Sequence, residues 1–567
     1  MTFTEIQRRA KAEWAARKQS DKPHILVSTA TCGQAAGVLP VLAVINSQLA
    51  ERQLEATVTQ IGCIGLCYAE PIICITKPNC PAILYGNVTP EIVPWLMTDY
   101  ILGDNPHPEL ALGTIGGGAI KGIPRLFELS VLKSQQRIVM RNCGLIDPEN
   151  INHYIAGGGY ASLVKALAMT PEEVISEVKK SGLRGRGGGI GFSTGLKWQI
   201  CRKSADPVKY LICNAHEGDP GTFVDRALLE SDPHIVIEGM LIAAYAIGAS
   251  QGYIYIGDEY PLAMQRLKVA LEQVRGYGLL GDNILDSGFS FKVEIRRGAG
   301  AFVSGEETAL IESIERGRGV PRVRPPYPVY HGLWGRPTNV NNVETLANIP
   351  AIIEKGGDWY AGIGTEGSKG TKLFSLSGNI AYTGIVEVPF GMPLRRLVEE
   401  IGGGISDGCQ LKALQPGGAM LGLIPANLID QPIDFEGLVS IGSRVGSGGL
   451  VVLDETACVV DLVNMMMSFA YSESCGKCSI GRLGTKQILS IFQDATSGQG
   501  KPEDIKVLAE LSESVAIGSL CPLCGGIAGP IVGLLSYFRK ELEAHIIKHH
   551  CPAGVCPALT KENKRYK

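Results

Sequence analysis

The chain has no excess of either charge sign. Its 53 Lys and Arg against 56 Asp and Glu leave a formal net charge of -3 over 567 residues. No global field therefore draws it to nucleic acid or to an anionic bilayer, and partners must be recognised by local surfaces. Long apolar runs are missing too. The longest, such as IVIEGMLIAAYAIGA at 235–249, carry a charge or fall short of the roughly 18 apolar residues that a bilayer span requires. The start, MTFTEIQRRAKAEWAARKQ, is an amphipathic helix bearing both charge signs and not a basic segment followed by an apolar core, so no secretory signal is read. Repeats and low-complexity tracts are absent. What remains is ordinary globular composition, 45% hydrophobic and 19% charged, with chain enough for roughly three to five domains and a cytoplasmic location expected.

In such a compartment the 16 cysteines are not expected to form disulfides, and clustered ones are metal ligands by default. They gather at 32, 63 and 67, at 475, 478, 521 and 524, and at 551 and 556. Cys143, Cys201, Cys213 and Cys409 are scattered and read as small buried apolar residues.

Periodicity divides the chain. Strands are predicted at 24–30, 55–60 and 71–76 and helices at 35–52 and 90–102, a compact α/β unit over 1–110, followed by a Gly-rich linker from Leu112 to Gly122. Over 123–350 short apolar strands such as VKYLICNA (208–215) and GYIYIG (252–257) alternate with helices and Gly-rich turns, the pattern of a doubly wound α/β domain whose cofactors sit in its loops. A β-rich module is expected over 355–440. A helical bundle follows over 445–540, with helical periodicity at 458–472, 483–495, 503–515 and 527–547, and then a metal-binding tail at 541–567.

The densest chemical signal is GLRGRGGGIGFSTGLKW at 182–198, with six glycines in eleven residues. Glycines let the backbone approach a ligand closely, and N–H groups at the following helix start can hold phosphate. Arg186 and Lys197 at either end add charge suited to a nucleotide. In CNAHEGDPGTFVDR (213–226) acids follow a strand directly. Such acids can bond ribose hydroxyls or a flavin edge, and they disfavour a 2'-phosphate by like-charge repulsion. RGAGAFVSGEET (297–308) places two carboxylates after glycines, and PTNVNNVET (337–345) offers a group of side-chain amides.

Together these segments resemble the flavin- and NADH-binding subunit of respiratory complex I and the matching subunits of soluble NAD-linked hydrogenases and formate dehydrogenases, whose loops read GRGGxGFPTGLKW, NADEGDPGAFxDR, GAGAYICGEETAL and PTxxNNVET. The likeness runs from about 123 to 547. It implies a Rossmann-like FMN domain, a β-grasp-like module and a C-terminal helical iron–sulfur bundle. FMN would contact Gly185, Arg186, Gly187, Lys197, Asn214, Gly305, Glu306, Glu307, Asn341, Asn342 and Thr345. NADH would stack its nicotinamide on the flavin, with Phe192 beside the adenine and Glu217 near the ribose. Position and electrostatics come from the protein and the hydride chemistry from the cofactor. This chain departs from the pattern at His216 (usually Asp), Phe302 (Tyr), Ser304 (Cys) and Ser193 (Pro), and Ile190 lengthens the glycine loop.

The family has a C-x2-C-x2-C run and a later S-L-C segment for a 4Fe–4S cluster. Here ESCGKCSIGRLGT (473–485) holds Cys475 and Cys478 but Gly481 in the third place, and SLCPLCG (519–525) adds Cys524 to Cys521. Four thiolates suit either a 4Fe–4S cluster or tetrahedral zinc, and Cys524 is expected to replace the ligand missing at 481. In the tail His545, Cys551 and Cys556 need one more ligand for zinc, and by resemblance that ligand is Cys458. The first unit resembles a thioredoxin-like 2Fe–2S ferredoxin through TCGQAAG (31–37) and GCIGLCYAEP (62–71). Cys63 and Cys67 match its second ligand pair, while Cys32 stands without a partner, leaving Cys74 or Cys80 as a fourth ligand, or a domain kept for docking.

The reading is an FMN-containing NADH:acceptor oxidoreductase subunit, running in either direction, within a multi-subunit and electron-bifurcating type of complex. Its partners would be a small thioredoxin-like 2Fe–2S subunit and a larger iron–sulfur or catalytic subunit. Two rivals stand beside it: a non-catalytic relay or scaffold, and an oxidoreductase using NADPH or a deazaflavin.

Overall fold

The structure is a computed structural model describing residues 2–188 and 191–560. Strands β1 (His24–Ser28), β2 (Thr57–Ile61), β3 (Ile73–Thr76), β4 (Ala82–Tyr85) and β5 (Ala111–Ile115) form one sheet in the order β2-β1-β3-β4-β5. Only β1 and β2 run parallel. A parallel pair needs a crossover, and the Val38–Glu51 helix supplies it, laying Val38, Val41 and Ile45 on the core at helical spacing. Strand β5 corrects the linker expected from Leu112: it takes the open edge of β4. Its glycine has a packing reason, since a Cβ on Gly113 would come 2.7 Å from the Leu126 backbone.

The second sheet is parallel throughout, β8-β7-β6-β9, from β6 (Tyr210–Ala215), β7 (Gln251–Gly257), β8 (Lys292–Gly298) and β9 (Thr338–Asn342). The Pro233–Ile247 helix is buried at every position except Tyr245, so the most apolar run of the chain is a core helix. It crosses the Val343–Lys355 helix closely because Gly239 faces the Leu346 carbonyl, where a Cβ would clash at 2.1 Å. Among the described residues no helix is long and apolar enough to cross a membrane.

The third sheet comprises β10 (Thr371–Gly378), β11 (Gly384–Pro389), β12 (Leu411–Pro416), β13 (Ile424–Pro425) and β14 (Gly449–Asp454), in the order β11-β10-β14-β12-β13. Its β10–β14 pair is parallel and the rest antiparallel. The central β14 lies beyond the expected module end at 440. It reads locally as a short apolar run after glycines, and only pairing with distant β10 and β12 makes it part of the sheet. The bundle holds helices Val459–Glu473, Ser479–Ser497, Asp504–Gly518, Ala528–Tyr537 and Arg539–Ile546. The stretch expected as one helix over 527–547 breaks at Phe538, whose φ of -124 leaves the helical region.

Candidate functional site

The glycine loop lies against the carboxyl ends of β6 and β9, where a parallel sheet places ligands. Its ends are pinned by Gly185 N–H donating to the Phe192 carbonyl at 2.9 Å and Arg186 N–H donating to Thr345 Oγ1 at 2.9 Å. Between them Gly187 presses on the start of the Val343–Lys355 helix: a Cβ there would stand 2.7 Å from Asn342 Cβ. Gly188 takes a φ of +97, open to glycine at no steric cost. Ile190, read as lengthening this loop, lies outside the described residues. The Thr194–Lys203 helix starts beside this loop, capped by Ser193 Oγ, and the N–H groups of Gly187 and Gly188 between the pinned ends are placed to meet an anion. We expect Gly187→Ala to force the loop off Asn342 at a cost of about 1–3 kcal/mol. FMN affinity, measured by fluorescence titration of the stripped protein, should fall roughly 5- to 150-fold.

Arg186 departs from the expectation of a nucleotide-facing charge. Its side chain is 1% exposed, and the guanidinium donates to the carbonyls of Arg184 (2.7 Å), Thr371 (3.0 Å) and Lys369 (2.6 Å) and to Tyr360 OH (3.1 Å). It stitches the loop to the third sheet. Lys197 is the cation that reaches the site, donating to Glu307 Oε2 and the Val340 carbonyl, both at 2.8 Å. Burial pushes the Glu307 carboxyl up, but Lys197 and Arg324 together pull it below the usual range, so Glu307 is an anion. Glu306 caps the Glu307–Ile314 helix through Thr308 and Ala309 N–H, both at 3.0 Å, leaving Oε1 buried without a hydrogen bond.

The amides are ordered in turn. Asn214 donates to the Gly305 carbonyl at 2.8 Å, and Asn341 Oδ1 accepts from Trp198 Nε1 at 2.9 Å. Asn342 accepts from Thr345 N–H at 3.3 Å and donates to Asp225. Glu217, expected near the ribose, has both oxygens on the first N–H groups of the Val224–Ser231 helix: Val224 at 2.8 Å, Asp225 and Arg226 at 3.1 Å. Burial pushes it up to about 7, and burial together with the Glu217 charge raises Asp225. Phe192, half exposed, stands at the loop's rim.

Two departures from the family pattern, His216 and Phe302, meet at Gly218, where a Cβ would lie 3.4 Å from the first ring and 2.9 Å from the second. His216 is buried, stacks on Tyr255 at 5.9 Å, and has neither ring nitrogen bonded; burial lowers its pKa, so the ring is neutral at pH 7. Phe302 packs edge-on against Phe469 at 5.2 Å, and its N–H donates to Glu473 at 2.8 Å, joining this pair to the bundle. Reading by motif missed Glu344 and Lys372. These pair in full burial, with Lys372 also on the Ser447 carbonyl at 2.9 Å and Leu373 N–H on Glu344 at 2.9 Å. Glu344 sits inside PTNVNNVET and could have been flagged; Lys372 has no local signal.

The bundle brings Cys478, Cys521 and Cys524 to one place. A Cβ on Gly481 would lie 2.8 Å from Cys478 Sγ and 3.2 Å from Cys524 Sγ, so the Cys524 thiol fills the space a side chain at 481 would use. Cys475 heads the same turn, its carbonyl accepting from Arg318 at 2.8 Å. In the tail Cys458, His545, Cys551 and Cys556, all buried, have ligand atoms within 4.8 Å of one another. Cys458 Sγ to His545 Nε2 is 3.3 Å, Cys556 Sγ to His545 Nε2 3.5 Å, and Cys556 Sγ to Cys458 Sγ 3.7 Å. Tetrahedral zinc with arms of roughly 2.0–2.3 Å has ligand–ligand edges of about 3.5–3.8 Å, and these distances match. His545 Nδ1 lies 2.8 Å from the Glu541 carbonyl, which leaves Nε2 for a metal.

A model of the Nuo51 FMN-binding domain matches residues 178–351, and one of the NADH-ubiquinone oxidoreductase-F iron-sulfur binding region matches residues 461–545. The NADP-reducing hydrogenase subunit HndC of Solidesulfovibrio fructosivorans is 51% identical over 427 residues, covering 75% of this chain and 87% of that one. The F 2 subunit of the NADH-quinone oxidoreductase of Rhizobium meliloti (strain 1021) is 44% identical, covering 73% of this chain and 99% of that one. Among solved structures, NAD+-reducing [NiFe]-hydrogenase in the H2-reduced state matches with a TM-score of 0.66 and 30% identity, over 97% of this chain and 91% of that chain.

Proposed function

The chain belongs to the family of NADH-quinone oxidoreductase F subunits and the corresponding subunits of NAD(P)-reducing hydrogenases, and from that premise we propose how its own residues carry the family's chemistry. It is an oxidoreductase flavin subunit that moves electrons between NADH, FMN and a 4Fe–4S cluster. FMN, when bound, supplies hydride acceptance and one-electron release, which no side chain provides. The single observation that supports the assignment of residues is Gly187 against Asn342: backbone brought to a helix start with no room for a Cβ.

In this reading the N–H groups of Gly187 and Gly188 hold the flavin phosphate, those of Gly185 and Arg186 being spent on pinning the loop. Lys197 and Glu307 form a fixed ion pair beside it, and Asn214, Asn341, Asn342, Thr345, Gly305 and Glu306 bond the ring and ribityl chain. Phe192 flanks the adenine of the dinucleotide, and the acids of 217–225 line the ribose side. Arg186, turned into the joint with the third sheet, offers a 2'-phosphate no charge, and the buried acids on that side offer no donor to bind one. NADH is therefore the donor, although HndC is by its name NADP-reducing. With benzyl viologen as acceptor, kcat/KM for NADH should exceed that for NADPH by at least about tenfold, the effect of about 1.4 kcal/mol; equal values would show that a 2'-phosphate finds a cation in this site.

Cys475, Cys478, Cys521 and Cys524 are the proposed cluster ligands, and Cys458, His545, Cys551 and Cys556 hold zinc as a structural tie between the tail and the bundle. Ser substitution of Cys556 should remove about one zinc per chain and lower the thermal midpoint while flavin content stays constant. Zinc content unaffected by the change would refute the tie. The chain is one subunit of a multi-subunit assembly of the kind its relatives form. A small thioredoxin-like 2Fe–2S subunit, a larger iron–sulfur or catalytic subunit, electron bifurcation and a cytoplasmic location complete the proposal. The intact ring of flavin-site residues favours this reading over a non-catalytic scaffold.

A further inference from the structure

We infer that the N-terminal unit carries a single divalent ion of the zinc class in place of a two-iron cluster, held by the thiolates of Cys32, Cys63 and Cys67 with its fourth position left to water. A 2Fe–2S cluster needs four ligands, two on each iron. The described residues bring three thiols together here. Cys74 lies within β3, paired with Leu26 and Leu84, and Cys80 is exposed; neither belongs to the group.

Spacing separates the two kinds of site. The three sulfurs lie within 4.8 Å of one another, and Cys63 to Cys67 is 3.6 Å. Thiolates on one tetrahedral ion stand about 3.8 Å apart, whereas thiolates bonded to different irons of a cluster are held farther apart. The same molecule shows both cases. The zinc-type group at 458, 545, 551 and 556 is within the 4.8 Å limit, and the four cysteines matched by the iron–sulfur region are not. The N-terminal group falls with the first.

Glu70 stands beside the group and not within it, since only the three sulfurs lie within 4.8 Å of one another. Its Oε1 is 3.5 Å from Cys32 Sγ, and the carboxylate is buried. Ser28 Oγ donates to Oε1 at 2.6 Å and Ile72 N–H to Oε2 at 2.8 Å, which hold the carboxylate beside Cys32 as an outer support for that ligand. The site sits where three parts of the molecule meet. Arg137 donates to the Ile64 carbonyl at 2.8 Å, Ile385 N–H to the Gly65 carbonyl at 3.0 Å, Ser231 to the Cys63 carbonyl at 3.4 Å, and Thr31 N–H to Glu230 at 2.9 Å. An ion without redox chemistry at this point fastens the joint, and electrons do not pass through the N-terminal unit.

The test uses the full chain purified anaerobically, with iron and zinc determined per chain and EPR recorded after dithionite reduction. Iron of about four per chain, the 4Fe–4S cluster alone, is expected, and about six overturns the inference. Ser substitution of Cys63 should remove about one zinc per chain and leave iron and the reduced EPR spectrum unchanged; loss of about two irons, or no change in either metal, overturns it. The iron count of the unaltered protein decides even if the Cys63 variant does not accumulate.

Discussion

Cys524→Ala is expected to strip the iron–sulfur cluster from the bundle while FMN remains. Iron should fall from about four per chain to near zero, and NADH-driven viologen reduction should drop at least about tenfold. The reason is positional. Cys524 Sγ stands 3.2 Å from where a Cβ on Gly481 would lie, and Cys478 Sγ stands 2.8 Å from it. In the proposed ligand set the thiol at 524 stands where a side chain at 481 would, although 43 residues of sequence separate the two positions. Gly481→Cys in the Cys524→Ala background should restore iron and activity, because removal of the 524 thiol clears one of the two sulfurs that crowd the new side chain and the Cys478 side chain turns to clear the other. Failure of the double variant, with the single variant still holding iron, would show that the cluster is ligated elsewhere.

Lys372→Met should be the most destabilising single change in the joint between the flavin domain and the third sheet. Both members of the Lys372–Glu344 pair are 1% exposed. Methionine conserves the stem but leaves Glu344 as an uncompensated buried anion, with Leu373 N–H at 2.9 Å as support. Breaking such a pair costs about 3–5 kcal/mol. A large fall in the first thermal transition and loss of bound FMN are expected, since Glu344 sits between Asn342 and Thr345 on the helix that faces the glycine loop. Glu344→Gln combined with Lys372→Met should recover part of the loss, because the pair then has no charge to strand. A single variant within about 1 kcal/mol of the unaltered protein would show the pair to be dispensable.

What could be read from the chain and what could not follow one physical division. Glycine loops, cysteine spacings and amide clusters are local, and the residues of 182–198, 213–226, 297–308 and 337–345 announce a phosphate-cradling pocket before any fold is known. The nearness of Cys524 to position 481 was also legible, because both lie in short motifs, and the thiol stands 3.2 Å from where a Cβ on Gly481 would lie. Arg186 was not. Its sequence context is that of a phosphate-binding arginine, yet its partners at 369 and 371 come from a sheet that the loop cannot foretell. Lys372 found Glu344, and β14 found β10, by the same kind of distant pairing. Gly-rich composition misled over β5, where glycine serves close packing and not a flexible connection. At 70 the carboxylate beside Cys32 carries no motif, and only the fold sets the two 3.5 Å apart.

Electron flow from NADH through FMN to the cluster is tested most directly by an anaerobic titration of the purified protein with NADH, followed at once by flavin absorbance and by EPR. Bleaching of FMN at stoichiometric NADH, followed by the signal of a reduced 4Fe–4S cluster, is the predicted result. Flavin that stays oxidised in excess NADH, with the cluster silent, would contradict it.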